Sequence, residues 1–371
     1  MEKTLVNGIY NDAIIYTKNI EEDTLKQIET LLNQEFVKGS KIRIMPDVHL
    51  GVGCTIGTTM TIKDKVVPNL VGVDIGCGIE VIKIKNPNIE LQKLDKLIYN
   101  KIPSGFKIRD REHRFNDKID LEQLRCIKGV NLQRARKSIG TLGGGNHFVE
   151  ANKDDEGNIY IAIHSGSRNL GLQVAKYYQD KAYKSLDSQE KPIIPKTLAY
   201  LSGKLFEDYL HDMKIVQYYA MLNRKAMMEE IIRGMKLDVV EEFTTIHNYV
   251  DTDAMILRKG AVSAKLGEKF IIPINMRDGS IICEGKGNED WNYSAPHGAG
   301  RLMSRREAKS SFTLNQFKKT MEGIFTTSVS KETLDEIPQA YKPMEEILDN
   351  IGDTAKVIHH IKPIYNFKAA D

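Results

Sequence analysis

The chain has 371 residues, 41% of them hydrophobic, and 53 Lys and Arg against 50 Asp and Glu give a net charge of +3. That is enough apolar material for a sizeable core, but there is no global field to gather a polyanion, so an anionic ligand must meet a local patch. No stretch reaches the ~18 apolar residues of a membrane span. The opening MEKTLVNGIYNDAII lacks the apolar core of a signal peptide, and the scattered Cys54, Cys77, Cys126 and Cys283 fit a reducing cytoplasm better than a disulfide framework.

Residues 21–37 are expected to form an amphipathic helix with Leu25, Ile28, Leu31 and Leu32 on one face. A short strand, Lys41 to Met45, should be broken by Pro46, leaving Asp47 and His49 in a loop. A strand from Thr58 to Ile62 leads to VGVDIGCG (71–78), which reads as a buried strand ending in a tight turn that presents Asp74 and Cys77. IEVIKIK (79–85) alternates as a half-buried strand. A helix is expected over 88–100 and another over 120–138. Between them, residues 101–115 hold five Lys or Arg against two acids, with Phe106 and Phe115 interleaved. The segment is either a solvated loop or a phosphate-contacting edge for a nucleic acid, with Arg109 and Arg111 as its contacts.

GTLGGGNHFVE (140–150) packs glycines before Asn146, His147 and Glu150, and a strand through IYIAIH then ends at His164. Helices are expected from Leu170 and over 196–235, where the methionines read as core filler. Glu241 to Val250 reads as another strand ending at a histidine, His247, followed by Asn248, and AVSA and EKFIIPINM read as short strands. SAPHGAGRLMSRREAK places His297 in a glycine-rich loop, and Ser304 with Glu307 has capping-box spacing for a following helix.

Four of the nine histidines (His147, His164, His247 and His297) share one context, a strand end or glycine-rich turn beside Asn, Ser or Gly. One such histidine is ordinarily structural, but four of them together with Asp74 and Cys77 suggest a compact metal centre with Cys77 as a shared thiolate. Mixed S, N and O donors suit Mn²⁺, Fe²⁺, Co²⁺ or Zn²⁺ better than Mg²⁺ or Ca²⁺. His113, His211, His359 and His360 lack this context and read as surface or structural residues. His297, followed by Gly-Ala-Gly-Arg, suits a phosphate, and a neutral imidazole can attack a phosphoryl group. Composition alone therefore points to metal-assisted phosphoryl or nucleotidyl transfer.

PDVHLG, VDIGCG, GGGNHFVE, HSGSRNLG, HN and HGAGRLMSR occur in an order that resembles the RtcB RNA ligase family from about residue 40 onward. The resemblance implies one large α/β (α+β) domain over 1–371, with central sheets flanked by helices around a metal and nucleotide cleft. It implies joining of RNA 3′-phosphate or 2′,3′-cyclic phosphate ends to 5′-hydroxyl ends with GTP and two Mn²⁺ ions, in RNA repair or tRNA splicing. Cys77 would bridge the ions, with His147 and His164 in one shell and Asp74 and His247 in the other. His297 would become guanylylated. Asn146, Glu150, Asn248, Gly298, Ala299, Arg301, Tyr341 and Lys368 would hold the nucleotide, and Arg168 an RNA terminal phosphate. An accessory activating protein stays open as a partner; a membrane does not. The alternative is a metal-dependent RNA phosphoesterase without a covalent intermediate. Pro296 stands where the family commonly has Cys, and INMRDGSIICEGKGNED departs from its glycine-serine pattern; both changes fall beside the nucleotide.

Overall fold

Two sheets meet at the site, in a computed structural model that describes residues 3–369. Met1, Glu2, Ala370 and Asp371, the ends of the expected 1–371 domain, lie outside the described residues. The smaller sheet runs, in spatial order, Thr4–Asn7, Asp12–Ile15, Ile42–His49, Ile56–Thr61, Ile256–Lys259 and Asn248–Asp251. The larger runs Val239–Ile246, Gly78–Ile84, Ile159–Ser165, Phe148–Lys153, Ala355–Lys368, Gly279–Gly285 and Lys269–Asn275, with Phe325–Thr326 pairing beside Ala355–Lys368. Helices flank both, as the α/β reading expects, and no helix of the described residues is long and apolar enough to cross a membrane.

The 33-residue helix Gly203–Met235 ties the two halves together. Val216 and Tyr219 join a core with Ile15, Ile44 and Val71, while Met227 and Ile231 pack with Ile82, Ile161 and Ile163 of the larger sheet. Each such side chain contributes ~1.5–3 kcal/mol by leaving water. Met213, Met227 and Met228 are buried, as filler residues should be. The helix begins later than the 196–235 expected, because Leu201–Ser202 pairs with Lys65–Val66 first.

Four further local expectations give way to tertiary structure. Helix 21–37 stops at Leu32 and resumes as the 3₁₀ turn Glu35–Val37. Pro46 does not break its strand. Ile42–His49 continues through it with a register irregularity against Ile56–Thr61, so Asp47 and His49 lie on a strand. The 120–138 helix splits into 3₁₀ turns Leu121–Gln123 and Ile127–Gly129 and a short helix Leu132–Ser138. The buried Asp212 carboxylate captures the Arg125 and Cys126 amides at 2.9 and 3.0 Å, and Asn131 caps the Arg134 amide, which restarts the helix. Finally, the expected strand 241–250 is two strands in different sheets, Val239–Ile246 and Asn248–Asp251, and His247 is the crossing residue.

Candidate functional site

VGVDIGCG is a turn, not a strand; pairing begins only at Gly78. Gly76 has φ 70°, a conformation open to glycine at little cost. Its amide donates to the Asn248 carbonyl at 2.7 Å, and the His247 amide donates to the Cys77 carbonyl at 2.9 Å. The turn is thereby pinned to the point where the chain crosses between sheets. His164 sits one residue from the end of Ile159–Ser165, opposite Ile79 and Phe148. His147 immediately precedes Phe148–Lys153.

These placements bring five side chains together. Cys77 Sγ lies 3.3 Å from His164 Nε2 and 3.5 Å from His147 Nε2. His164 Nε2 lies 3.4 Å from His247 Nε2, and His147 Nε2 lies 3.0 Å from Asp74 Oδ2. Two donor groups result, Cys77–His164–His247 and Asp74–Cys77–His147, each with its ligand atoms within 4.8 Å of one another. Cys77 belongs to both. The division differs from the one the resemblance implied, because the strand ends put His164 beside His247 and His147 beside Asp74.

The donor set fits a transition metal on its own chemistry. His147 and His164 turn their Nδ1 atoms to the Leu142 and Asn146 carbonyls, at 2.9 and 3.2 Å. A carbonyl only accepts, so Nδ1 carries the proton and Nε2 presents a lone pair inward. Two lone-pair atoms, His147 Nε2 and Asp74 Oδ2, then face each other, an arrangement reconciled by a positive charge between them. Burial pushes the His164 and His247 imidazoles well below the usual range, keeping them neutral. Burial and the Asp74 charge push the Cys77 thiol well up. Burial alone would raise Asp74; only with positive charge at His147 Nε2, the position a metal cation would take, is its carboxyl held at about 2.

Beside this cluster lies a cavity of about 560 Å³. Asn146, Glu150, Gly298, Ala299, Arg301, Tyr341 and Lys368 all line it, as does His297. The His297 ring is 4.8 Å from that of His247. Its Nδ1 is 2.7 Å from Asp47 Oδ2, which also accepts from the His297 amide at 3.2 Å. Asp47 is fully buried, and its carboxylate fixes the proton on Nδ1, leaving the His297 Nε2 lone pair free. Gly300 packs on the Asp47 backbone so closely that a Cβ would stand 2.5 Å from the Asp47 carbonyl oxygen. That contact explains the second glycine of HGAGR. The nearby His49 imidazole is lowered by burial to about 4.

The far end of the cavity depends on a residue that motif reading missed, Glu336. This buried carboxylate accepts from Lys368 Nζ, from Arg305 Nη1 at 2.5 Å and from Tyr341 Oη at 2.7 Å. Burial would raise it, but Lys368 and Arg305 hold it down at about 2. Glu150, in the same cavity, goes the other way. Burial lifts it to about 7, opposed by Lys368 and by the amides of Asn152 and Asn366. The only sequence signal for Glu336 was an acidic pair just upstream of Tyr341.

The remaining candidates separate. Asn248 does not line the cavity. Its side chain links the Gly260 amide at 3.0 Å to the Asp74 carbonyl at 3.4 Å, bracing the turn that carries Asp74 and Cys77. Arg168 bonds Thr141 Oγ1 and the Gly105 carbonyl, close to the Asp74 charge. Arg109 is turned inward on the Gly140 and Lys101 carbonyls and Glu230, with its side chain 17% exposed, so it is a loop anchor and no free cation. Arg111 is exposed. His113 caps the turn Arg114–Lys118, and His360 bonds the Asp278 carbonyl, both structural as expected.

The sequence matches the family model described as tRNA-splicing ligase RtcB over residues 27–127 and 113–369. It is 32% identical to the RNA-splicing ligase RtcB of Escherichia coli K12 over 392 residues, covering 94% of this chain and 95% of that one. It is 28% identical to RNA-splicing ligase RtcB2 of a second E. coli strain, covering 94% and 93%. It is 27% identical to the tRNA-splicing ligase RtcB of Aeropyrum pernix, covering 90% of each.

Proposed function

The chain belongs to the RtcB family of RNA ligases, and we propose that it joins RNA 3′-phosphate or 2′,3′-cyclic phosphate ends to 5′-hydroxyl ends, with GTP as co-substrate and two Mn²⁺ ions bound. The observation that carries this reading is the Asp47–His297 pair, a buried carboxylate that commits Nδ1 and frees Nε2 beside both the donor cluster and the cavity. Cys77, His164 and His247 would hold one ion and Asp74, Cys77 and His147 the other. When bound, such ions supply positive charge against the phosphates of the substrates.

His297 Nε2 attacks the α-phosphorus of GTP; the N–P bond forms as pyrophosphate leaves. Asp47 holds the ring in its tautomer and stabilises the positive charge the imidazole gains. An oxygen of the RNA 3′-phosphate then displaces the imidazole, giving an RNA(3′)pp(5′)G end and restoring His297. The 5′-hydroxyl finally attacks the 3′-phosphorus, loses its proton, and GMP departs. A cyclic phosphate is first opened by water. Tyr341 and Lys368, oriented by Glu336, would meet the guanine, and Glu150 and Asn146 the remainder of the nucleotide. The 1–371 chain would act as one domain in the cytoplasm.

Incubation with α-labelled GTP and Mn²⁺ tests this. An acid-labile protein label, lost in His297→Ala, is expected. No label at any Mn²⁺ concentration, with phosphate released from 3′-phosphorylated RNA, would favour a phosphoesterase instead.

A further inference from the structure

Phe106 keeps 82% of its surface in water, the most exposed aromatic side chain of the described residues. Phe115, the other phenylalanine of the basic segment, is buried, edge-on to His113 and beneath Lys118. Phe106 has no such ring or cation partner among the described residues. Its backbone is nevertheless fixed. The Gly105 amide donates to the Gly143 carbonyl at 2.9 Å, and the Gly105 carbonyl accepts from Arg168 Nη2 at 2.6 Å. The Phe106 carbonyl accepts from Arg134 Nη2 at 3.1 Å.

These bonds seat the ring beside the donor cluster. The Leu142 amide donates to the Pro103 carbonyl at 2.9 Å, and the Leu142 carbonyl holds His147 Nδ1 at 2.9 Å. A Cβ on Gly143 would collide with both the Arg168 guanidinium and the His147 ring. A lone exposed apolar side chain needs no explanation, but this one stands among cations. Lys107, next in the chain, is exposed. Arg168 Nη1 and Arg134 Nε and Nη1 have no hydrogen-bond partner among the described residues. The charge of Arg134 acts on Arg168, so two like charges meet beside Phe106. Asp74, whose charge also reaches Arg168, is engaged by His147 and the Ser167 amide. Arg168 holds φ 56° at the first position of the helix Arg168–Ser185, a strained backbone for a residue with a side chain. A bare aromatic face beside unspent guanidinium donors matches a single-stranded nucleic acid, with a base on the ring and phosphate on the cations.

We propose that Phe106 is the stacking platform for the last base of the RNA strand that ends in phosphate, with that nucleotide's phosphates meeting the Arg134–Arg168 pair. The inference rests on the RNA-joining reading above and supplies a contact for the base. A strand ending in a 5′-hydroxyl offers the guanidiniums no terminal phosphate. Every base has a π-face, so the platform accepts all four.

The test uses the metal-loaded full chain without GTP. Short 3′-phosphorylated RNAs carry a 5′-fluorescein, which blocks joining, and anisotropy reports binding. One RNA ends in adenosine and the other in an abasic ribose. The native chain should bind the first about tenfold more tightly, as stacking of one base on an aromatic ring gives. Phe106→Ala should bind both RNAs alike, at the abasic affinity, and Phe106→Trp should restore the difference. No measurable binding, equal affinities in the native chain, or a ratio that survives in Phe106→Ala would overturn the proposal. The last result is what a merely structural role gives, since both RNAs would weaken together. Labelling of the native chain by GTP, run in parallel, reports separately on the underlying reading. No label, with a base effect that Phe106→Ala removes, would sink that reading and keep Phe106 as an RNA platform.

Discussion

The two ends of the candidate site manage buried charge in opposite ways. At the Cys77 end, a carboxylate, a thiol and three imidazoles crowd together with their lone pairs inward, and the nearby Arg168 and Arg224 guanidiniums spend their hydrogen bonds on other groups. At the Glu336 end, the buried carboxylate is met by Lys368, Arg305 and Tyr341, all from this chain. The first end has the donor chemistry to take positive charge from outside; the second is already compensated within the chain. Glu150 shows the same logic inside one cavity. It shares Lys368 with Glu336 but accepts direct bonds only from neutral amides, and it rises to about 7 where Glu336 falls to about 2.

The largest expected effect breaks the uncompensated end. Cys77→Ala removes the one donor common to both groups, so equilibrium dialysis should find neither Mn²⁺ retained; two ions still bound would end the bridging role. Asp47→Asn comes next. The amide can donate to Nδ1 and flip the tautomer, so guanylylation should slow by roughly 10²–10⁴ in single-turnover assays with both ions still bound. A wild-type rate would make Asp47 merely structural.

The compensated end should respond in stability. The Glu336 carboxyl is held at about 2 against an ordinary 4.5, so its contribution is complete above about 4.5 and is lost as pH falls toward about 2. That contribution is about 3 kcal/mol. Glu336→Gln should therefore lower stability in urea at pH 7 and flatten its acid dependence between those values. An unchanged acid limb would contradict the network. Glu150 acts with opposite sign, since ionising it costs stability as pH rises from 4.5 to about 7. The smallest effects concern the basic segment. Arg111→Ala should flatten the salt dependence of RNA binding by ~0.7–0.9 in the log–log slope, leaving guanylylation intact. Arg109→Ala should instead lower stability, since its guanidinium anchors the loop to Gly140 and Glu230.

Legibility in the sequence followed the same divide. The clustered histidines could be found because each sits at a strand end or in a glycine-rich turn, a local signal. That Cys77 would lie among these histidines could be anticipated, but the division into donor groups could not, because strand register decides which imidazole meets which. His247 is the clearest case. Nothing local says that the chain leaves one sheet for the other there. VGVDIGCG mimicked a strand because its alternating valines and glycines fit a period of two, although glycine φ angles make it a turn. Asp47 was misplaced in a loop because Pro46 has no amide to offer a ladder, yet the irregular register beside it tolerates that loss. Glu336 escaped because Arg305 and Lys368 reach it from distant segments, and the acidic pair beside Tyr341 is the only local mark it carries.

The most direct test of the account is to map the nucleotide itself. After reaction with GTP and Mn²⁺, proteolysis under alkaline conditions and tandem mass spectrometry should place GMP on His297, with ³¹P NMR reporting a phosphoramidate. GMP found on a lysine, or on His297 in protein lacking Asp47 as readily as in the native chain, would contradict it.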